Sequence, residues 1–397
     1  MKLLYITSTF PYGPGEAFIE SEILALQARG HEVFILPMHA RGPVVHGSAA
    51  ALLHRTLEKP LVNRTILAAA LRGWTAWPRA LRLVFTRSPK HLLKNVGVIP
   101  KALWLAGWLR RHGVDHVHVH WAATTASLGL VACALAGVPW SITAHRWDIV
   151  ENNLLAQKAR RASFTRFISR SGLELAQTRG FPARARHGVI HMGVTLPERA
   201  ERVGAENAGV FRLLCPANLV PVKGHAHLLE AMALLADESV TLHIAGHGEL
   251  EGPLRARMQE LNLSRRVSFL GQLPHEDLLG LYRRGEVDAV VLPSVDLGGG
   301  LHEGIPVSLI EAMAHGVPVI STLTGGIPEL LGNGAGVLVP PASPEALADA
   351  VASLIRSTEL RAQYGTAGQR RVYESFDVRQ MVVNLERVFR ADFGKGV

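Results

Sequence analysis

Short apolar runs alternate with longer segments of helical periodicity along the first half of the chain. The run Leu3–Thr7 predicts a buried strand, Glu16–Ala28 predicts a helix, and Val33–Pro37 predicts a second strand. Farther along, the same pattern predicts strands at His116–His120 and Trp140–Thr143, with a helix at Thr124–Ala136 between them. Short strands that alternate with helices of this length are typical of βαβ units and a parallel sheet.

A second alternating series fills the other half, after a polar segment at residues 193–209 that we interpret as a linker. Its predicted strands are Phe211–Pro216, Val240–Ala245, Val267–Leu270, Ala289–Leu292, Val317–Ser321 and Gly336–Val339. Its predicted helices are Gly224–Ala236, Glu249–Leu261, Glu276–Arg283, Pro306–His315 and Pro344–Arg356. The pattern predicts an α/β protein with two doubly wound domains, and ligands of such domains bind in the cleft at the carboxyl ends of the strands.

We place the domains at residues 1–195 and 209–374, with a last helix in 375–397, predicted over Ser375–Phe393. Hydrophobic residues make up 48% of the 397 residues and charged residues 19%, which excludes disorder for most of the chain. Two widely spaced cysteines, Cys133 and Cys215, fit a reducing compartment. No apolar run is long enough for a transmembrane helix and the start does not resemble a signal peptide, so we expect a cytoplasmic protein.

The net charge of +9 is concentrated in one segment. Residues 51–112 contain twelve basic residues and one acidic residue, Glu58, together with four of the seven tryptophans. Cations with Trp and Leu at helical spacing favour helices that lie on an anionic membrane surface. Nucleic acid is another partner for a basic patch, and a solvated helical face whose Trp and Leu pack inward is the third interpretation.

The most informative stretch runs from Pro293 to Pro340. Three glycines at 298–300 form a loop free of side chains. Glu303 and Glu311 follow this loop, with seven residues between the two acids. Carboxylates accept hydrogen bonds from sugar hydroxyls. An isolated acid pair of this kind is more often one acid before a helix and one solvated helical residue, but here the motifs on both sides favour a binding site.

A helix is predicted to begin within this stretch. Pro306 suits its first turn, where a missing N–H has no consequence, and the N–H groups of Val307, Ser308 and Leu309 would then be unpaired. Such a helix N-terminus binds phosphate through these donors and the helix dipole. With the two acids, the pattern indicates a nucleotide sugar rather than bare phosphate.

The motif Glu-x7-Glu, followed by Ala-Met-Ala-x-Gly-x-Pro-Val-Ile and Gly-Gly-Ile-Pro-Glu, resembles the family-4 glycosyltransferases of the GT-B fold. The resemblance is strong over 213–355 and weaker over 3–192. It implies two Rossmann-like domains, a nucleoside-diphosphate-sugar donor held mainly by the C-terminal domain, and an acceptor held by the N-terminal one. It also implies transfer with retention, no catalytic metal and no other cofactor, and a last helix that returns to the N-terminal domain.

In the C-terminal half the resemblance implies roles for several residues. Glu311 matches the glutamate that holds the donor ribose, Glu303 the one that contacts sugar hydroxyls, and Lys223 the lysine at the diphosphate. A fixed ammonium stabilises the negative charge that the leaving diphosphate gains. The family usually has Arg where this chain has Asn218, which offers hydrogen bonds without charge. The other predicted donor-binding residues here are Gly304, Ile305, Pro306, Val307 and Ser308.

In the N-terminal half, His145 matches a histidine that approaches the donor sugar, at the end of a predicted strand. Gly13 and Gly15 are a spaced version of a Gly pair that lets the backbone approach the donor. The sequences of residues 10–23 and 118–121 are loosely similar to those of members that build exopolysaccharide repeat units on lipid carriers. The resemblance therefore implies a carbohydrate or lipid-linked acceptor and a location on the inner face of the membrane. No nucleic-acid partner is expected.

Three histidines, His116, His118 and His120, alternate along one predicted strand and would share a face. Such a face could ligate a metal, but no acidic partner motif is evident and we predict no metal site. The absence of D-x-D does not support a metal-dependent GT-A enzyme. Two alternatives to a transferase stay open: a nucleotide-sugar epimerase of the same architecture, and a non-catalytic protein that binds sugar nucleotides.

Overall fold

A computed structural model of the chain describes residues 1–13, 16, 18–44, 48–197, 209–235 and 239–390. The chain forms two compact units, which we call unit 1 (Met1–Gly193 with Val378–Val397) and unit 2 (Val194–Asp377). Most of the predicted linker, residues 198–208, lies outside the described residues. Each unit contains one six-stranded sheet covered by helices, so the predicted α/β fold with two doubly wound, Rossmann-like sheets is confirmed.

The sheet of unit 1 is parallel and has the order β2-β1-β3-β4-β5-β6. Its strands are β1 (Lys2–Thr7), β2 (Glu32–Pro37), β3 (His116–Val119), β4 (Trp140–Ala144), β5 (Phe164–Phe167) and β6 (His187–Val189). Alternate residues of β1 lie in separate cores on the two faces, Leu4 and Ile6 in one and Leu3 and Tyr5 in the other. Both faces are covered, as a parallel sheet requires.

In the described residues of unit 1, nine α-helices lie between the first strand and the last. They are α1 (Phe18–Ala28), α2 (Arg64–Arg72), α3 (Trp77–Val84), α4 (Pro89–Gly97), α5 (Ile99–His112), α6 (Thr124–Ala136), α7 (Arg146–Glu151), α8 (Leu155–Ala159) and α9 (Arg170–Thr178). Short 3₁₀ helices occupy Ser48–Arg55 and Trp74–Ala76. Helices α2 to α5 form the basic insert between β2 and β3, and α5 packs against α2 and α6.

The tryptophans and the cations of the basic insert differ in their exposure. Trp104 and Trp108 are buried in the core of unit 1, whereas Trp74 is 71% exposed. Lys101 is fully buried, and its ammonium donates to the carbonyls of Pro37, Met38 and Lys59 at 2.7–3.1 Å, so it is not a surface charge. Within the described residues, no helix combines the length and apolar character needed to cross a membrane.

The last helix of the described chain, α17 (Val378–Arg390), belongs to unit 1 and packs against α1. Glu386 accepts two hydrogen bonds from the Arg29 guanidinium, both at 2.7 Å, and its Oε1 lies 2.6 Å from Nε2 of His31. The Phe389 ring stacks on the His116 ring, with their centroids 4.6 Å apart. The helix therefore completes one face of the unit 1 core. Residues 391–393 of the predicted helix are outside the described residues.

The sheet of unit 2 is also parallel and has the order β12-β11-β10-β7-β8-β9. Its strands are β7 (Phe211–Pro216), β8 (Val240–Ala245), β9 (Val267–Gly271), β10 (Ala289–Leu292), β11 (Val319–Thr322) and β12 (Val337–Val339). Its helices are α10 (His225–Leu234), α11 (Glu251–Glu260), α12 (His275–Arg283), α13 (Val307–Ala314), α14 (Ile327–Leu331), α15 (Pro344–Arg356) and α16 (Thr358–Ser375), and Pro221–Lys223 is a 3₁₀ turn.

The strand order of each unit reverses at one point. In unit 2 the reversal falls between β7 and β10, and in unit 1 it falls between β1 and β3. The loops that leave neighbouring strands at such a point diverge to opposite faces and leave a crevice at the carboxyl edge, where doubly wound folds bind ligands. These two pairs of loops therefore locate the residues to be considered for function.

Candidate active site

The reversal point of unit 2 brings two of the predicted site residues together. Lys223 follows β7 and Glu303 follows β10, and the Lys223 ammonium forms a short ion pair with Oε2 of Glu303. Their side chains are 18% and 17% exposed, so the pair is shielded but accessible from solvent. An ammonium and a carboxylate at this edge can bind an anionic diphosphate and sugar hydroxyls, respectively.

The backbone around this pair requires glycine. Gly224, directly after Lys223, has φ +67°, and a Cβ there would lie 2.0 Å from the carbonyl oxygen of Pro293. Gly325 has φ +57°, and a Cβ there would lie 1.8 Å from the carbonyl oxygen of Glu303. Because positions 224 and 325 have no side chain, the chain segments there pack directly against a neighbouring backbone. This close packing fixes the positions of Lys223 and Glu303.

Helix α13 begins beside Glu303, with Pro306 as its N-cap residue rather than in its first turn. No acceptor for the N–H of Val307 or Ser308 is found in the part of the chain that the structure describes. The prediction was wrong for Leu309, whose N–H donates to the carbonyl of Pro306 at 3.2 Å in a 3₁₀-type contact. Two donors at the positive end of the helix dipole are therefore open to an anion.

The second predicted acid lies inside this helix and has a partner that the sequence did not indicate. Oε1 of Glu311 is 2.7 Å from Nε2 of His275, the first residue of α12. The Glu311 side chain is 14% exposed and the His275 side chain 48%. Because 36 residues separate them, only the tertiary structure reveals this contact.

Three further predicted donor-binding residues of unit 2 differ in how far they are exposed. Asn218 is exposed on the loop after β7. Gly304 is half-buried, and its carbonyl accepts a hydrogen bond from Gly326 at 3.2 Å. The Ile305 side chain is buried in the unit 2 core, so only its backbone can face a ligand.

In unit 1, His145 lies directly after β4, as the sequence predicts, and is 7% exposed. Its ring stacks on Trp121 at 4.4 Å, and its Nε2 lies 3.4 Å from Nδ1 of His120. Burial, with the charges of His120 and Arg166, lowers the pKa of His145 well below its ordinary value, so the ring is neutral at neutral pH. A neutral imidazole can donate or accept one hydrogen bond to a sugar without adding charge.

Asp148 connects the loops after β3 and β4, a role that sequence analysis missed. Its Oδ2 accepts hydrogen bonds from the backbone N–H of Ala122 at 2.8 Å and of His145 at 3.1 Å. Burial raises the pKa of Asp148 to about 7, although both N–H groups act in the opposite direction. The contact fixes the backbone of His145, and a polar residue three positions into a helix was the only sequence signal for it.

The predicted glycine loop after β1 is organised by a buried acid. Gly13 has φ +70° and donates its N–H to the carbonyl of Pro43 at 2.9 Å, whereas Gly15 lies outside the described residues. The carboxylate of Glu16, which is 3% exposed, accepts the N–H groups of Ser8 (3.0 Å), Thr9 (2.5 Å) and Phe10 (2.7 Å), and the Trp121 indole also donates to it. The amides at the end of β1 thus already bind one negative charge, from this chain itself.

Three residues of unit 1, Glu22, His118 and His120, have potential metal-ligand atoms within 4.8 Å of one another. Both ring nitrogens of His118 lie 2.8 Å from hydroxyls, those of Ser141 and Thr143, and Glu22 is ion-paired with Arg166 at 2.8 Å. A guanidinium and two hydroxyls thus already contact Glu22 and His118. The residues therefore fit a hydrogen-bonded network better than a metal centre.

Comparison with known proteins identifies the family of this chain. A family model described as Glycosyltransferase Family 4 matches residues 15–196, and one described as Glycosyl transferases group 1 matches residues 198–371. A D-inositol 3-phosphate glycosyltransferase of Corynebacterium jeikeium is 30% identical over 66% of this chain and 69% of its own length. The chain belongs to the family-4 glycosyltransferases.

Two other relatives are named for polysaccharide biosynthesis. The amylovoran biosynthesis glycosyltransferase AmsK of Erwinia amylovora is 27% identical, over 88% of this chain and 89% of its own. The putative colanic acid biosynthesis glycosyltransferase WcaL of Escherichia coli is 33% identical, over 53% of this chain and 52% of its own. The chain spans about half the length of several curated relatives that it matches.

Solved structures share the fold. Anabaena HepE in complex with UDP-glucose has a TM-score of 0.73 at 20% identity, over 98% of this chain and all of its own. Sucrose-phosphate synthase of Thermosynechococcus elongatus has a TM-score of 0.75 at 19% identity, over 99% of this chain and all of its own. The architecture is GT-B.

Proposed function

We propose that this glycosyltransferase transfers a sugar from a nucleoside-diphosphate sugar to an acceptor hydroxyl, with retention of anomeric configuration, in the assembly of a polysaccharide precursor. One observation carries the proposal: the ion pair of Lys223 and Glu303 lies at the reversal point of the unit 2 sheet, beside a helix end with two open N–H donors. A positive charge that can bind a diphosphate is thus adjacent to a carboxylate that can accept hydrogen bonds from sugar hydroxyls.

The chemistry divides among these groups. Lys223 and the N–H groups of Val307 and Ser308 bind the diphosphate and stabilise the charge that it gains as its bond to the anomeric carbon breaks. The acceptor oxygen bonds to that carbon on the same face, and its proton passes to the leaving phosphate oxygen. Glu303 binds hydroxyls of the transferred sugar, Glu311 binds the ribose, and His145 contacts the sugar. Because Lys223 and the helix end supply positive charge, we propose that no resident metal or cofactor takes part.

The names of similar proteins support this substrate class. One relative, from Corynebacterium glutamicum, is a GDP-mannose-dependent mannosyltransferase, and the HepE structure contains UDP-glucose. The polysaccharide names of AmsK and WcaL support a carbohydrate or lipid-linked acceptor. Family membership favours a transferase over the epimerase and over the non-catalytic binding protein, and no nucleic-acid partner is needed for this function.

We further propose that the enzyme works in the cytoplasm on the inner face of an anionic membrane, which the insert contacts. Seven of the fourteen exposed large apolar side chains in the described residues lie between Val62 and Leu93. Exposed basic residues surround them in the sequence: Arg64, Arg72, Arg79, Arg82, Arg87, Lys90 and Lys94. Cations attract anionic headgroups while Leu, Trp and Phe side chains enter the interface. Co-sedimentation with anionic vesicles at low salt is the measurement.

The donor site is tested with Glu303→Gln and Lys223→Met, and with Glu230→Gln as a control, because Glu230 forms an ion pair with Arg257 elsewhere in unit 2. We expect UDP-glucose or GDP-mannose to raise the melting temperature of the wild type, and Lys223→Met to weaken that binding about tenfold. Glu303→Gln should slow nucleoside-diphosphate release from the donor about 100-fold, whereas Glu230→Gln should have no effect. Wild-type turnover by Glu303→Gln would contradict the assignment.

A further inference from the structure

Helices α12 and α13 of unit 2 pack against each other, and a pair of polar side chains links them. His275 is the first residue of α12, and its Nε2 lies 2.7 Å from Oε1 of Glu311 in α13. An ionised carboxylate only accepts hydrogen bonds, so Nε2 of the ring carries the hydrogen and donates it. His275 therefore holds the acid that binds the ribose in the proposed function.

No other side chain holds the Glu311 carboxylate in the part of the chain that the structure describes. Its Oε2 makes no hydrogen bond there. Burial, and then the charge of Glu311, raise the pKa of Tyr282, yet the Tyr282 hydroxyl has no hydrogen-bond partner among the described residues. The His315 ring also reaches Glu311, but at its backbone carbonyl, 2.8 Å from Nδ1. The orientation of the carboxylate thus depends on His275.

The contact between His275 and Glu311 contributes little to the stability of the fold. The His275 side chain is 48% exposed, so water and salt screen the interaction. Its effect on a ligand is larger, because a glutamate side chain has several rotatable bonds and loses rotamer freedom when it is fixed. Since His275 already fixes Glu311, a bound nucleotide does not have to order this side chain, and its affinity is higher.

We propose that His275 is a positioning residue of the donor site: it holds Oε1 of Glu311 so that Oε2 accepts a ribose hydroxyl, and it thereby makes binding selective for nucleotides that carry that hydroxyl. The inference rests on the proposed function and deepens it, because it names a residue that sets donor specificity. The Glu311 side chain is only 14% exposed, so a fixed oxygen that meets no hydroxyl stays unpaired and the nucleotide is rejected. A carboxylate that turns freely reaches water instead and discriminates less.

Two variants of His275 and one control separate positioning from a general effect on the helix. His275→Ala removes the hydrogen bond, whereas His275→Gln replaces the ring nitrogen by an amide N–H that is able to donate to Glu311. Arg283→Ala is the matched control, because Arg283 lies on the same helix, is 54% exposed and forms an ion pair with Glu276, also at 2.7 Å. All three variants should keep the melting temperature of the wild type without nucleotide, because these side chains are exposed.

The first measurement is the steady-state release of nucleoside diphosphate from UDP-glucose or GDP-mannose. We expect His275→Ala to raise the donor KM about fivefold with kcat unchanged, because the ribose is bound equally in the ground state and in the transition state. His275→Gln and Arg283→Ala should stay within about twofold of the wild-type KM. A lower kcat at unchanged KM would overturn the positioning role, as would a His275→Gln variant as impaired as His275→Ala.

The second measurement is calorimetric titration of the wild type and of His275→Ala with UDP, GDP and their 2′-deoxy and 3′-deoxy analogues. We expect at least one analogue to bind the wild type about tenfold more weakly than its parent nucleotide. In His275→Ala this ratio should fall to about threefold or less, because the released carboxylate turns to water when the hydroxyl is missing. The same ratio in both proteins would overturn the claim that His275 sets the selectivity.

Glu311→Ala distinguishes a failure of this inference from a failure of the proposed function. If Glu311→Ala binds UDP and GDP as tightly as the wild type, Glu311 does not hold the ribose, and the proposed role of Glu311 and that of His275 are both overturned. If Glu311→Ala weakens this binding about tenfold while His275→Ala leaves it unchanged, the donor site stands and only the role of His275 is overturned.

Discussion

At the scale of single residues, unit 1 is built around a buried charge pair next to the candidate site. Glu22 and Arg166 are both fully buried, their side chains are 2.8 Å apart, and the Tyr5 hydroxyl donates to Glu22 at 2.8 Å. Burial alone would raise the pKa of Glu22, but Arg166 and His120 hold it well below its ordinary value. Through His120, which also approaches His145, this pair limits the position of the predicted catalytic ring.

Arg166→Met leaves the Glu22 carboxylate buried without its cation, so we expect a loss of about 3–5 kcal/mol in the free energy of unfolding. The double variant Glu22→Gln, Arg166→Met removes both charges and should recover at least half of that loss. Urea unfolding of the wild type and of the three variants, including Glu22→Gln alone, measures the coupling. A double variant that is as unstable as the sum of the single variants would contradict a coupled pair.

At the scale of elements, the candidate donor site depends on loops that approach one another through glycine. The segment at Gly325 crosses the loop that carries Glu303, and the N–H of Gly326 donates to the carbonyls of Glu303 and Gly304. The loop before α13 is therefore fixed by the loop after β11, not by its own sequence. This explains why Gly325 belongs to the site although it contributes no side chain to it.

Gly325→Ala tests this contact, and Gly334→Ala is its matched control. Both glycines have positive φ, +57° and +76°, so alanine should cost each about 1–2 kcal/mol of backbone strain. Only at position 325 would the new Cβ collide, 1.8 Å from the Glu303 carbonyl, whereas nothing lies within 4 Å at position 334. We expect Gly325→Ala to slow donor hydrolysis at least about tenfold and Gly334→Ala to leave its rate unchanged; equal rates would refute the role of the contact.

At the scale of the whole molecule, the chain returns to its first unit at its end. Helix α17 closes a core with β1, β2 and α1, and Glu386 joins it to Arg29 and His31. The Arg29 side chain is 44% exposed, so solvent screens this part of the interaction. The return of the last helix to the N-terminal unit was implied by the family resemblance.

Hydrogen bonds from Arg29, opposed by burial and assisted by His31, lower the pKa of Glu386 from 4.5 to about 2. The folded protein therefore binds this proton less readily than the unfolded chain, so the contact stabilises unit 1 fully above about pH 5 and is lost as the pH falls toward 2. Glu386→Gln should lower the free energy of unfolding by on the order of 1–2 kcal/mol at pH 7, and by much less near pH 3. Denaturant unfolding at both pH values checks this; a difference independent of pH would contradict it.

Periodicity determined most of the elements, because strands buried on both faces and helices of ten or more residues produce strong local patterns. The helices of the insert, α2 to α5, were predicted only as a group, and seven short or polar elements were not predicted: β5, β6, α7, α8, α9, α14 and α16. β6 has only three half-buried residues, and α16 is mostly polar on its exposed sides, so neither has the apolar pattern on which such predictions depend. Their places are set by packing against the rest of each unit.

The sequence by itself determined the α/β class, the paired domains, the basic insert and the residue types of the proposed donor site, because these follow from local spacing and from short motifs. Only the tertiary structure decided that Lys223 and Glu303 form an ion pair, that Glu311 contacts His275, and that Asp148 supports His145. These contacts join residues that lie on different loops, and the strand order that brings such loops together is a property of the packed sheet.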